Sequence, residues 1–276
     1  MVKSIKTSGT SEGRFFMNDK TRYEILKHRE MMKGYSPADA GLEPTDQEQK
    51  LPFPAPVKEG KGSSVLELPL GFEDIVQEKN LFELIQERES CRTYKDENLT
   101  QKELSFLLWA TQGIRHFAGK MKQVTLRNVP SAGSRHAMET YLFIHQIEGI
   151  PAGIYHYLPS GHSLELWEDR PDYMEELTEA LAGQKFAGTA PVTFVWSVIP
   201  YRTEWRYGMK AHRYMLMDAG HVCENLYLAC EAIGCGTCAV GAYNQDLLDD
   251  LLGFPGGPSG EMDDEFAIYV APVGRK

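Results

Sequence analysis

No apolar run in the 276 residues approaches the ~18 that a membrane-spanning helix needs. The opening MVKSIKTSGTSEGRFF also lacks the apolar stretch of an export signal behind its lysines. The sequence therefore predicts neither membrane insertion nor export. Cysteine is scarce, five in all, an odd and thinly spread set that excludes a secreted disulfide scaffold and predicts reduced thiols in a cytoplasmic setting. Positive charge is in deficit too: 29 Lys and Arg against 39 Asp and Glu leave a net charge of −10. The molecule as a whole repels nucleic acid and anionic lipid, and an anionic ligand must meet a local basic cluster. Cys235 and Cys238 have C-x-x-C spacing, but no second C-x-x-C or H-x-x-H accompanies them, so no metal site is expected. Internal repeats and low-complexity tracts are absent as well.

What is present is an ordinary globular composition, 42% hydrophobic and 25% charged. Residues 1–65 are expected to form an N-terminal extension, with a helix in KTRYEILKHREMMKGY placing Tyr23, Ile25 and Leu26 on one side. A Pro-rich linker or surface loop follows at 44–66, and residues 66–276 make the main domain. Within it NLFELIQERES reads as a helix, and Thr100 with Glu103 forms a capping box for a helix ending at Gly113. YLFIHQI, GIYHYL, SLELWED, PVTFVWSVIP and DEFAIYVAPVG read as strands, and PDYMEELTEALAG as a helix. A long helix is expected from Trp205 to Ile233, with Leu216, Ala219, Cys223, Leu226, Cys230 and Ile233 on its apolar seam. Tyr214, Met215, Met217, Val222 and Tyr227 lie off that seam and call for a second surface. The class is α+β with a mixed, mainly antiparallel sheet flanked by helices.

Four segments carry candidate chemistry. Arg88-Glu89-Ser90-Cys91-Arg92 offers two fixed charges and a hydroxyl in one short reach, suited to a phosphate or, alternatively, to a solvated helix end. Pro130-Ser131-Ala132-Gly133-Ser134-Arg135-His136 packs small residues into a polar ledge or, alternatively, a turn capped by Ser131. GCGTCAVGA, residues 234–242, imitates a dinucleotide fingerprint with its context reversed, a helix leading in and a strand leading out. Its glycines instead suit close approach of a flat ligand, or a plain helix C-cap at Gly234. The chain closes on Gly274, Arg275 and Lys276, a basic tail.

RESCRTY, LLWATQGI, PSAGSRHAMETY, HRYMLMDAGHVCENLYLACEAIGCGTCAVGAYN, LLGF and VAPVG, in that order, resemble the nitroreductase family of flavoproteins. The likeness is nearest to the SagB-type dehydrogenases of thiazole- and oxazole-forming peptide pathways, and it spans about residues 70–276. It implies an interlocked homodimer holding FMN at the subunit interface and passing hydride or electrons between NAD(P)H, or an organic substrate, and an acceptor. By the same resemblance, Arg88, Ser90 and Arg92 meet the FMN phosphate, ribityl chain and pyrimidine edge. Pro130, Ser131, Ala132, Ser134 and Arg135 form a shelf beside the isoalloxazine, and Val240, Gly241 and Ala242 face its reactive nitrogen through backbone groups. Gly274 and Arg275 close on the phosphate. Members that oxidise azolines carry a Lys-Tyr pair in a W-K-Y-G context, whereas this chain reads Trp205-Arg206-Tyr207-Gly208. Arginine stays protonated and is a poor proton acceptor, which tells against thiazoline or oxazoline oxidation by that pair and leaves Tyr207 as donor or orienting hydroxyl. The expected function is an FMN-dependent oxidoreductase acting on a small molecule or peptide. A peptide azoline dehydrogenase and a flavin-binding protein without turnover are the alternatives.

Overall fold

The computed structural model describes residues 19–35, 43–62, 64–254 and 262–276. The chain divides into two units, Met1–Ala40 and Gly41–Lys276. The described part of the first is the helix α1 (Asp19–Met31) with the turn that follows it; Tyr23 and Leu26 on its expected apolar side are exposed. Residues 1–18 of the expected extension lie outside the described residues.

The second unit is built on a seven-stranded sheet. Its strands are β1 (Val65–Glu67), β2 and β3 being a separate hairpin (Ile114–Ala118, Val124–Arg127), then β4 (Met138–Ile144), β5 (Gly153–Leu158), β6 (Ser163–Glu168), β7 (Val192–Val198), β8 (Cys235–Thr237) and β9 (Phe266–Arg275). The order across the sheet is β1-β6-β5-β4-β7-β9-β8, and every named pair is antiparallel. An isolated bridge, Ser90 to Thr237, supplies parallel pairing at one edge. β4 and β7 are buried along their whole length; the apolar run of β7 predicts this, while the strand expected at YLFIHQI starts earlier, at Met138, and takes Glu139 and Thr140 into the interior. Side chains alternate between the two faces, so Leu142 joins the core beneath α3 (Gln101–Gln112) and α7 (Ala211–Ala232), while Tyr141 and Phe143 join the core beneath α4 (Met174–Ala180), α5 (Lys185–Gly188) and α8 (Gln245–Leu251). The capping box at Thr100 is present as expected, and Gly113 ends that helix.

The long helix differs from expectation. It is interrupted at Gly208, whose φ of 50° and ψ of −135° suit glycine, so α6 (Tyr201–Tyr207) and α7 are joined by a short 3-10 turn at Gly208–Lys210. On α7 the seam residues Ala219, Cys223, Leu226 and Cys230 are buried, whereas Leu216 is exposed. Met215 and Val222, expected off the seam, are buried inside the same chain.

The Pro-rich stretch is itself part of the second unit and forms a strap against the rest of it. Gln47 N–H donates to Trp205 O at 2.8 Å, the Phe53 ring lies 4.6 Å from the Trp205 ring, and Lys61 N–H donates to Glu165 at 2.8 Å. Beneath it lies a buried ion network. Glu139 accepts from Arg202 at 2.5 Å and from the Lys58 N–H at 3.2 Å, and contacts His156 at 3.1 Å; His156 reaches Glu165 at 2.9 Å. Lys58 Nζ pairs with Glu265 and donates to the Tyr141 hydroxyl at 2.8 Å. Burial acts to raise the Glu139 pKa, but the charge of Arg202 and the hydrogen bond from His156 outweigh it and hold the carboxyl well below the usual range.

Candidate functional site

The RESCR segment leaves α2 (Leu81–Glu87), with Arg88 as the C-cap residue. Its backbone then runs beside β8, where Cys91 N–H donates to Thr237 O at 2.9 Å. The Arg88 guanidinium lies over the Tyr227 ring at 5.3 Å, and the Ser90 hydroxyl is 3.0 Å from the Tyr227 hydroxyl. That same hydroxyl accepts the Ala239 N–H at 2.8 Å. Tyr227, on α7, thus ties the fork to the small-residue loop. Sequence reading assigned it only to an outer surface, because no local pattern links residues so far apart in the chain.

Arg88 and Arg92 do not converge on one point in this structure. Arg92 is exposed and lines a separate cleft with Tyr94, Lys95, Asp96, His145 and Gln146. Neither arginine has a carboxylate partner among the described residues. In the loop, Val240 spends both backbone groups on Val270, so it cannot present its N–H to a ligand. Ala242 O accepts from Gln184 at 2.8 Å. Gly241 is exposed with open space where a Cβ would stand, and it supplies the accessible backbone of the small-residue loop. Cys235 and Cys238 are buried free thiols, and burial pushes the Cys235 thiol up to about 12.

The closing tail is committed elsewhere. Arg275 makes a forked pair with Glu103, 2.8 Å and 3.0 Å, and also donates to Ile233 O at 3.3 Å. Its guanidinium is therefore a tether between the last strand and α3, not the free phosphate contact expected from the sequence. Gly274 is buried with the Tyr94 ring 2.6 Å from the site of a Cβ, so it is required for packing.

The PSAGSRH segment forms a short 3-10 turn at Ala132–Ser134, with Gly133 at φ 57°. Ser131 makes no helix cap; its hydroxyl oxygen accepts the His136 N–H at 2.9 Å. Ala132 N–H is held by both carboxylate oxygens of Asp218 at 3.2 Å, a buried α7 residue that sequence reading missed. A Cβ on Gly133 would stand 2.6 Å from the Tyr207 hydroxyl and 3.1 Å from Arg206 Nε. Arg206 and Tyr207 therefore meet the shelf, a contact the sequence did not announce. Pro130 is exposed and Ser134 half-buried on the shelf's rim. Arg135 is not on it: buried, it donates Nε–H to Arg202 O at 2.5 Å and stacks on Phe53 at 4.1 Å. Burial, with Arg202 and Arg206 nearby, pushes its pKa down to about 10. It pins the strap.

Among the described residues no His, Cys, Asp or Glu cluster could hold a metal ion, and no helix is long and apolar enough to cross a membrane. Comparison with known proteins places these segments in context. The Nitroreductase family model matches residues 85–275. A protein of Methanocaldococcus jannaschii described as a nitroreductase is 31% identical over 201 residues, 73% of this chain and 93% of its own. The trifolitoxin-processing protein of Rhizobium leguminosarum bv. trifolii is 29% identical over 128 residues, 45% of this chain and 34% of its own, in keeping with the SagB-type branch. Among solved structures, one from Ralstonia eutropha described as a nitroreductase superposes with a TM-score of 0.61 at 26% identity, covering 82% of this chain and 94% of that one. The E. coli microcin synthetase complex shares the fold, with a TM-score of 0.54 at 18% identity over 94% of each chain. With the model match running from the RESCR fork to the closing strand, this chain belongs to the nitroreductase family of oxidoreductases.

Proposed function

We propose that the protein is an FMN-dependent oxidoreductase that passes hydride or electrons between NAD(P)H, or an organic substrate, and an acceptor. The observation that carries this reading is the fork and the small-residue loop held together by Tyr227: Arg88 without a carboxylate partner among the described residues, the Ser90 hydroxyl and the open backbone of Gly241. Those residues fit FMN. Arg88 supplies charge for a phosphate, Ser90 a hydroxyl for the ribityl chain, and Gly241 a surface without side chain against which a flat ring can lie, while Arg92 faces its own cleft. When bound, FMN supplies the two-electron chemistry. The chain's own work is to bind it, orient its ring and hold a proton donor, Tyr207, at the shelf. Arg275 is not part of this set, being tied to Glu103.

Homodimerisation belongs to the same reading. Tyr227 and Asp218 lie about two and a half turns apart on α7, so fork and shelf face opposite sides of the helix. A second copy would set one chain's shelf against the other's fork. Leu216 and Met217 on α7, and Leu81, Phe82 and Ile85 on α2, are exposed apolar side chains available for that contact. The second reading, a peptide azoline dehydrogenase, draws on the likeness to the trifolitoxin-processing protein. Arg206 in place of lysine weighs against it.

The test begins with the protein as purified. It should be yellow, release FMN and not FAD on denaturation, and scatter light as twice 31.1 kDa. Stopped-flow mixing with NADH or NADPH should bleach the flavin rapidly; slow bleaching without preference for either nucleotide indicates a binder without turnover. Absence of flavin, or an adenine-bearing one, overturns the reading.

A further inference from the structure

A cleft of about 340 Å³ opens along the shelf, lined by Arg115, Arg127, Asn128, Ser131, Ser134 and His136 with neighbouring apolar residues. No carboxylate lines it among the described residues. On a protein of net charge −10 that is a local inversion of sign. Arg127 is 3% exposed, yet its hydrogen bonds all go to neutral acceptors: Gln112 Oε1 at 2.8 Å, Thr125 Oγ1 at 3.4 Å and Pro56 O at 3.4 Å. It has no ion pair among the described residues. The acid whose field it feels, Glu139, is already paired with Arg202 and His156. Gln112 Nε2, beside it, is buried without a partner. A buried guanidinium without a counter-charge is an expensive arrangement in a folded chain. An anion in the cleft would complete it.

The surroundings reinforce that sign. Burial, and after it the charges of Arg127 and Arg135, push the His136 pKa down to about 2. Arg115 stands exposed at the mouth without an acidic partner among the described residues, and the Ser134 side chain is likewise unpartnered there. Asp218 on α7 is occupied with the Ala132 N–H and the Ser131 hydroxyl, and does not itself line the cleft.

We propose that this cleft binds the anionic group, carboxylate or phosphate, of the molecule that exchanges electrons at the flavin, with Arg115 meeting it at the mouth and Arg127 and Ser134 inside. The inference rests on the flavoprotein reading for the position of the cofactor, but its test reads binding and not turnover.

Isothermal titration of the full-length protein as purified would compare 4-nitrobenzoate with 4-nitrobenzamide, which share a ring and differ in charge. The benzoate should bind about tenfold more tightly, the factor expected for one charge-assisted contact. Arg115→Ala should reduce that preference severalfold, and Arg127→Gln should remove it, with the benzamide affinity unchanged in both. Because Arg115 is exposed, its variant tests the cleft independently of whether the Arg127 variant folds. Competition by inorganic phosphate then distinguishes the sources: displacement of the benzoate identifies a phosphate-bearing substrate, and its absence a carboxylate. Equal affinities for the two probes, or a preference that survives both variants, overturns the proposal. A preference that emerges only after bound flavin has been stripped also overturns it, since the cleft would then be the cofactor's own. Failure of the flavoprotein reading is seen separately, in the chromatogram of released chromophore.

Discussion

Two regions of this molecule hold charge in opposite ways. Under the strap, Glu139, His156, Glu165, Arg202, Lys58 and Glu265 all have partners of opposite or complementary character, and the network ties three strands, α6 and the strap into one body. At the fork and along the shelf, Arg88, Arg92, Arg115 and Arg127 have no carboxylate partner among the described residues. The first arrangement is what a fold does with charge it must bury; the second is what it does with charge it keeps for something else. Arg275 makes the distinction useful. By sequence it stands with the second group, and by its forked contact with Glu103 it stands with the first.

The largest effect should come from breaking the partnered region. Glu139→Ala leaves Arg202 buried without its counter-charge and should destabilise the protein by about 3–5 kcal/mol, read as a lower midpoint in urea unfolding. A change near zero would show that the strap network carries little of the fold. The same carboxyl gives a pH signature. Its folded pKa lies below the unfolded value of 4.5, so its contribution is fully present above that value and is lost as the pH falls toward the folded one. Wild-type melting temperature should therefore fall more steeply between pH 6 and pH 3 than that of Glu139→Gln, and parallel slopes would remove Glu139 from the account.

Next in size is the contrast between two arginines. Arg88→Ala should weaken FMN retention by about 1.5–3 kcal/mol, roughly tenfold or more in titration, with little change in unfolding. Arg275→Ala should do the reverse, lowering stability by about 1 kcal/mol with FMN affinity nearly intact, since its partly exposed ion pair is screened. If the two variants behave alike, the division between tethering and ligand-holding arginines fails. The smallest effect belongs to Cys235 and Cys238. Replacing both by alanine should leave flavin content and turnover unchanged and cost on the order of 1 kcal/mol in packing. A double variant that keeps fold and FMN but cannot be reduced would make the thiols part of electron transfer.

Much of the fold was legible because its signals are local. The capping box at Thr100 and the apolar run of β7 each depend on residues within one element. The break at Gly208 was hidden because helical periodicity continues on both sides of it. The hairpin of β2 and β3 lacked a strong turn signature in HFAGKMKQV. In the site, the segments were readable but not the contacts between them. Nothing near Arg275 announces a partner 172 positions away, and nothing near Ala132 announces Asp218. Pairings across such distances are set by topology, which periodicity does not encode.

Gly236 and Gly274 stand opposite each other in the pairing of β8 with β9. A Cβ on the first would come within 2.6 Å of Cys91, and one on the second within 2.6 Å of Tyr94. The segment that carries the fork is thus seated in a slot made by two absent side chains. A mutational screen scored by colour would therefore recover alanine at Gly274 as a loss-of-flavin variant, although that residue need touch no ligand at all. Genetic maps of such a site will spread beyond its chemistry, along the slot that aims it.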